Sequence, residues 1–129
     1  MAYEISQAVL ITAVAGADLS AKQFYFVKYS GTSVVLCAAA TDVPIGVLQN
    51  DPISGAEAAI LVVGGTKIVS SASIAAGVKI GTDSAGKADA KVAGTDITEY
   101  TVGQVILAAT ADGEVLTAVI NCASPTRSA

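Results

Sequence analysis

The chain has 129 residues, of which 53% are hydrophobic and only 14% charged, and its net charge is −4. That length suits one domain or two small related lobes, with enough chain to bury a core without metals or disulfides. Several function classes drop out: the seven Lys and Arg are scattered singly and form no stripe to neutralise phosphates, there is no histidine to serve as triad base or metal ligand, and apolar runs such as residues 58–63, which stops at glycine, fall far short of the ~20 residues of a membrane helix.

The N-terminus, Met1-Ala2-Tyr3-Glu4, lacks the cationic region of a signal peptide, so synthesis in the cytoplasm and release by lysis are expected. Residues 1–18 read as an N-terminal arm or strand segment, with Tyr3 and Ile5 as candidate partner contacts; such an arm either docks or stays disordered. Residues 9–14 form a first strand-like run, closed by Ala15-Gly16. Next, Phe24, Tyr25, Phe26 and Tyr29 place four of the six aromatic residues within six positions. Strand alternation puts Phe24 and Phe26 on one face and Tyr25 and Tyr29 on the other. Tyrosine joins a large apolar ring to a polar tip, so Tyr25 and Tyr29 are candidate partner-binding residues; the alternative is that they cover a sheet edge.

Short strand-like runs continue down the chain, each punctuated by turn residues. Residues 34–38 follow Ser30-Gly31, residues 46–48 lead into Gln49-Asn50-Asp51-Pro52, and residues 58–63 are expected to end at a Gly64-Gly65 turn. Gly64-Gly65-Thr66-Lys67 lacks the earlier glycine and the following helix of a phosphate loop. Residues 82–89 alternate oxygen-bearing side chains but lack the carboxylates and closing Glu of a calcium loop, so a polar hairpin is expected. Ala111-Asp112-Gly113-Glu114 separates two β-branched runs and is the clearest hairpin signal. Asp51, Asp83, Asp89, Asp96 and Asp112 all lie in turn contexts, which explains them without catalysis. Cys37 and Cys122 sit in apolar strand contexts and read as buried, reduced thiols. No catalytic, cofactor or metal site is expected, nor an enzymatic activity.

An internal echo organises the whole. Gly46 and Gly103 stand 57 positions apart, and Gly55 and Gly113 stand 58 apart. Leu19-Ser20-Ala21 echoes Ile74-Ala75-Ala76, Ser30-Gly31 echoes Ala85-Gly86, and Thr41-Asp42 echoes Thr95-Asp96. The expected fold is all-β with little or no helix, a compact barrel or sandwich built from two pseudo-repeated units, about 19–65 and 74–122, within a β domain of residues 19–123. The competing explanation is that abundant Ala, Gly and Val produce such echoes by composition. Residues 124–129 are expected to be a flexible tail.

The second half resembles the small decoration (cement) proteins of tailed-bacteriophage capsids. The resemblance rests on Ala75-Ala76-Gly77-Val78-Lys79-Ile80-Gly81-Thr82-Asp83, Gly86-Lys87-Ala88, Val102-Gly103-Gln104-Val105 and Thr110-Ala111-Asp112-Gly113-Glu114. Residues 45–63 carry a weaker version, and residues 1–18 do not align. The resemblance implies a mostly β fold, a homo-oligomer such as a trimer, and attachment to the major capsid protein on the outer surface of a phage head, where it braces subunit junctions. The low charge agrees with a surface made to meet a partner, self included; nucleic acid and membrane are not expected partners. Two other readings are a β-sandwich adhesin or carbohydrate-binding module, disfavoured by the absence of Trp, and a self-assembling shell or fibre subunit.

Overall fold

The computed structural model describes residues 8–128. Its strands, in chain order, are β1 (Val9–Ala15), β2 (Phe26–Ser30), β3 (Ser33–Leu36), β4 (Gly46–Leu48), β5 (Glu57–Val69), β6 (Lys79–Thr82), β7 (Ala88–Ala90), β8 (Tyr100–Thr101), β9 (Gly103–Leu107), β10 (Val115–Asn121) and β11 (Thr126–Arg127). No helix occurs among the described residues, and the fold is all-β, as the punctuated β-branched runs require.

Nine strands form one mixed sheet in the order β1-β3-β2-β4-β5-β10-β9-β6-β7. The pairings β3-β2-β4-β5 and β7-β6-β9-β10 run inward to the centre in the same way. β1 also pairs antiparallel with β5, Leu10 opposite Leu61 and Thr12 opposite Ala59, while its end lies parallel to β3. Five strands therefore close on themselves as a small barrel, β1-β3-β2-β4-β5-β1. From Val63 onward β5 pairs instead with β10, and a parallel bridge between Ser70 and Ala88 joins its end to β7. This closes a second barrel in the same manner. One thirteen-residue strand thus ends the first barrel and begins the second.

The two barrels are copies of one unit. The first encloses Ala15, Leu19, Val27, Val34, Leu48, Ala58 and Ile60, with every one of its strands contributing. The corresponding positions of the second are Ser70, Ile74, Ile80, Ala88, Val105, Leu116 and Ala118, all buried. Sizes are exchanged rather than kept. Ala58 and Ile60 become Leu116 and Ala118, so neighbouring volumes compensate and the interior stays filled. Backbone bonds repeat too: Ala15 N–H donates to Ala56 O at 2.9 Å and Ser70 N–H to Glu114 O at 2.7 Å, and Gly55 and Gly113 N–H donate back to Ala15 O and Ser70 O, both at 2.8 Å.

Glycine marks where the unit is tightest. A Cβ on Gly46 would stand 2.4 Å from Leu61 O and 2.5 Å from Ile60 Cγ2; on Gly103 it would stand 2.5 Å from Val119 O and 2.8 Å from Ile120 Cγ2. The echo at these positions is a shared steric demand. Phe24 adds an irregularity, with φ of +69°, where its counterpart is Gly77 at +88°. Both residues donate to the same carbonyl of the unit, Leu48 O and Val105 O. The left-handed turn removes Phe24 from the strand, yet its ring still packs against the apolar cluster that holds Phe26.

Three expectations are corrected. Gly64-Gly65 is not a turn: the strand runs through it, with Gly64 at φ +134° opposite Ile120 and Gly65 opposite Val119. Without side chains the backbone can bend from one barrel into the next while keeping its pairing. The boundary at residue 19 moves as well, because Val9–Ala15 is a barrel strand whose counterpart is the second half of β5. The tail is not free over its described part, since β11 pairs with β8 and Ser128 N–H donates to Glu99 O at 2.9 Å.

Replacing either Gly46 or Gly103 by Ala should cost about 1–3 kcal/mol, since backbone carbonyls flank each site and cannot yield cheaply. Urea denaturation of the two variants should give similar losses, as befits equivalent positions; two unchanged midpoints would contradict the shared steric role.

Candidate interaction surface

The barrels meet along a buried seam. Phe26, Cys37, Val47, Leu61, Val62 and Cys122 merge with the interior of the second barrel in one apolar cluster. The turn of the β6–β7 hairpin presses into the first barrel here: Phe26 N–H donates to Gly86 O at 2.7 Å, and a Cβ on Gly86 would lie 2.7 Å from Leu36 Cδ1. Both cysteines are free and buried. Burial pushes both thiols up to about 12, with the Thr82 hydroxyl opposing this in part at Cys37, so they are protonated at neutral pH.

Several carboxylates are occupied by backbone. Asp42 Oδ2 accepts from Ala38 and Ala39 N–H and pairs with Lys28 at 2.8 Å. Burial raises its pKa, but the ammonium and the two amides outweigh that and hold it below the ordinary value. Asp96, at the equivalent place, accepts from Val92 N–H at 2.7 Å, which explains the Thr-Asp echo. Asp83 Oδ1 accepts from Ala85 and Lys87 N–H and shapes the polar hairpin expected over residues 82–89.

The outer surface carries a high share of large apolar side chains. Leu10 and Val14 are about half exposed on β1, as are Val115 and Val119 on β10, with Ile53, Val92 and Ile97 in loops. Scattered singly such residues mean little, but here few charges separate them. A groove of about 430 Å³ lies on the second barrel. Lys79, Gln104 and Val119 line its floor, and Thr126, Arg127 and Ser128 line one wall.

That wall is held from beneath. The Lys91 side chain is fully buried and its ammonium donates to Thr82 O at 2.8 Å, to Asp89 Oδ2 at 3.2 Å and to Glu99 Oε1. Glu99 precedes β8, and β8 carries β11. Compared with the first barrel, the loop between Asp96 and Val102 is three residues longer than that between Asp42 and Ile45. The insertion supplies Glu99 and β8.

Of the residues singled out from sequence, Tyr3 and Ile5 lie outside the described residues. Tyr29 is on β2, opposite Val34 and 47% exposed, near the tip of the β2–β3 hairpin. Tyr25 precedes that strand, half-buried, with the Lys22 ammonium 4.9 Å from its ring centroid. Three residues, four steps of extended chain or roughly 13 Å, separate the two, and they face different neighbours. Lys79, Gln104 and Val119 were not singled out. The signal that could have found them is the repeat itself, which aligns Val119 with Leu61 and Gln104 with Val47.

No family model matches the chain, and no curated protein matches it. Among solved structures it is similar to the crystal structure of the head fiber gp8.5 N base in bacteriophage phi29, with a TM-score of 0.63 at 19% identity over 90% of this chain and 96% of that one. A likeness at this identity is one of fold.

Truncating Lys91 to Ala should destabilise the protein by roughly 3 kcal/mol, because Glu99 loses its cation in a largely buried setting. Hydrogen exchange should accelerate most at the Gly94 and Ser128 amides, which fasten the wall. Equal acceleration throughout both barrels would contradict a local anchoring role.

Proposed function

We propose that this protein is a non-enzymatic decoration protein that sits on the outside of a phage head and braces junctions between major capsid subunits. The observation that carries this reading is the fold shared, over nine tenths of the chain, with a head fiber N base. The sequence resemblance of residues 75–116 to capsid decoration proteins supports it independently. So does the surface, where half-exposed Leu10, Val14, Val115 and Val119 stand on a chain with few charges.

In this reading the major capsid protein is the partner, and the protein itself forms a homo-oligomer, as a trimer in the form the resemblance implies. Many modest apolar contacts per copy become firm attachment through repetition on the lattice. Closed barrels suit the task, since β1 pairs with both β3 and β5 and so ties the two ends of the first barrel's sheet together. The similar fold of a head fiber base favours one second reading, a base that joins a longer fibre to the head. Negative-stain images of heads distinguish a smooth added layer from projecting fibres.

Purified heads lacking the protein should bind it to a saturating number of copies per head and should then withstand higher temperature before releasing DNA. Heads that neither bind it in sedimentation nor change their release temperature would contradict the proposal.

A further inference from the structure

The barrels are equivalent, but their surroundings are not. In the first barrel the outer face formed by Phe26, Val47 and Leu61 is buried in the seam. Carried through the repeat, those three positions become Lys79, Gln104 and Val119. All three line the open groove. The face that takes a neighbouring barrel in the first unit is therefore presented, without a neighbour among the described residues, by the second.

The other side of the seam has a counterpart too. The second barrel enters it with the β6–β7 turn, whose left-handed Gly86, φ +79°, offers its carbonyl to Phe26 N–H. The equivalent β2–β3 turn of the first barrel is presented to solvent. Its left-handed glycine, Gly31 at φ +64°, has open space around it, and Tyr29 beside it is half exposed. Lys79 N–H, the counterpart of Phe26 N–H, finds no loop carbonyl among the described residues. The molecule thus carries one used and one unused half of the same contact at each end.

We propose that the groove of the second barrel receives the β2–β3 turn of the first barrel of another copy of this chain, repeating between molecules the packing made within one. The contact is heterologous, groove to turn, so each copy has one of each and can join two others. Such contacts close into a ring where the rotation permits and otherwise extend as a chain. The chemistry of the floor fits a joint between separate molecules. Lys79 and Gln104 replace Phe26 and Val47, a polar rim around the apolar Val119, whereas the matching three positions of the permanent seam are all apolar. Tyr29 supplies the exposed aromatic ring that such contacts favour. The wall from the three-residue insertion and β11 borders this floor and has no equivalent in the first barrel, so it makes the groove distinct from the seam it copies. The inference deepens the homo-oligomer part of the proposed function and does not depend on attachment to a capsid.

The test uses the full chain without heads. Light scattering should give a mass that is a multiple of 12.7 kDa. Val119→Glu, at an exposed position, should return the protein to monomer with an unchanged melting temperature. In parallel, Thr32→Cys and Gln104→Cys are combined in one chain; mild oxidation should give covalent multimers whose links map to positions 32 and 104 of different copies, and either substitution alone should give at least tenfold less. A wild-type mass of 12.7 kDa at every concentration would overturn the inference. So would single-cysteine variants that cross-link as well as the double one, since that marks a two-fold contact between like surfaces. If Val119→Glu also lowers the melting temperature, the cross-linking map decides. A monomeric protein that still binds heads would remove this inference and leave the capsid reading standing.

Discussion

β5 is the constraint on which the rest depends. Its first half closes one barrel against β1 and β4, and its second half opens another against β10. A strand shared in this way cannot be withdrawn from one barrel without breaking the other. It also sets the offset between the barrels, and so decides that the β6–β7 turn reaches Phe26 and Leu36. The seam, the burial of both cysteines and the placing of the groove all follow from that single geometric fact.

The packing explains why so little large apolar side chain is needed. Each barrel is narrow: in the first, seven small or medium buried side chains, with Ile11, Ala13, Leu36 and Ile45 packed against them, fill the interior. Where one unit has Ile60 the other has Ala118, and where one has Ala58 the other has Leu116, so each pair of neighbours conserves volume. Narrow barrels also bring backbones together, which is why Gly46 and Gly103 admit no Cβ. The price is surface: thin barrels leave a large fraction of residues outside, and a chain this poor in charge leaves many of those apolar. An assembly that covers them is the natural resolution.

Much of this was legible in the sequence, and for identifiable reasons. Gly31 and Gly86 turn their hairpins with positive φ, Gly55 and Gly113 do the same, and Asp42 and Asp96 cap equivalent loops. Each is a backbone demand that only one or two residue types meet, so the repeat survives at those letters. The first strand was not recognised as repeated because its twin is hidden in β5. Residues 64–70, Gly-Gly-Thr-Lys-Ile-Val-Ser, share little with the sequence of β1 beyond a half-buried alternation, and two adjacent glycines read as a turn. Lys91 gave no signal either: its burial depends on an insertion that brings Glu99 over it. The groove was invisible because Lys79, Gln104 and Val119 become one surface only when β6, β9 and β10 are placed side by side.

The claim that two equivalent barrels are bound into one body by β5 is tested most directly by native-state hydrogen exchange on the full chain. The account predicts that the amides of Ile60 and Val62 in the first half of β5, of Ile68 in the second, and of Ala118 and Ile120 opposite it exchange with the same, highest free energy, equal to that of global unfolding. A first barrel that opens and exchanges by itself, while the second half of β5 and β10 stay protected, would contradict it.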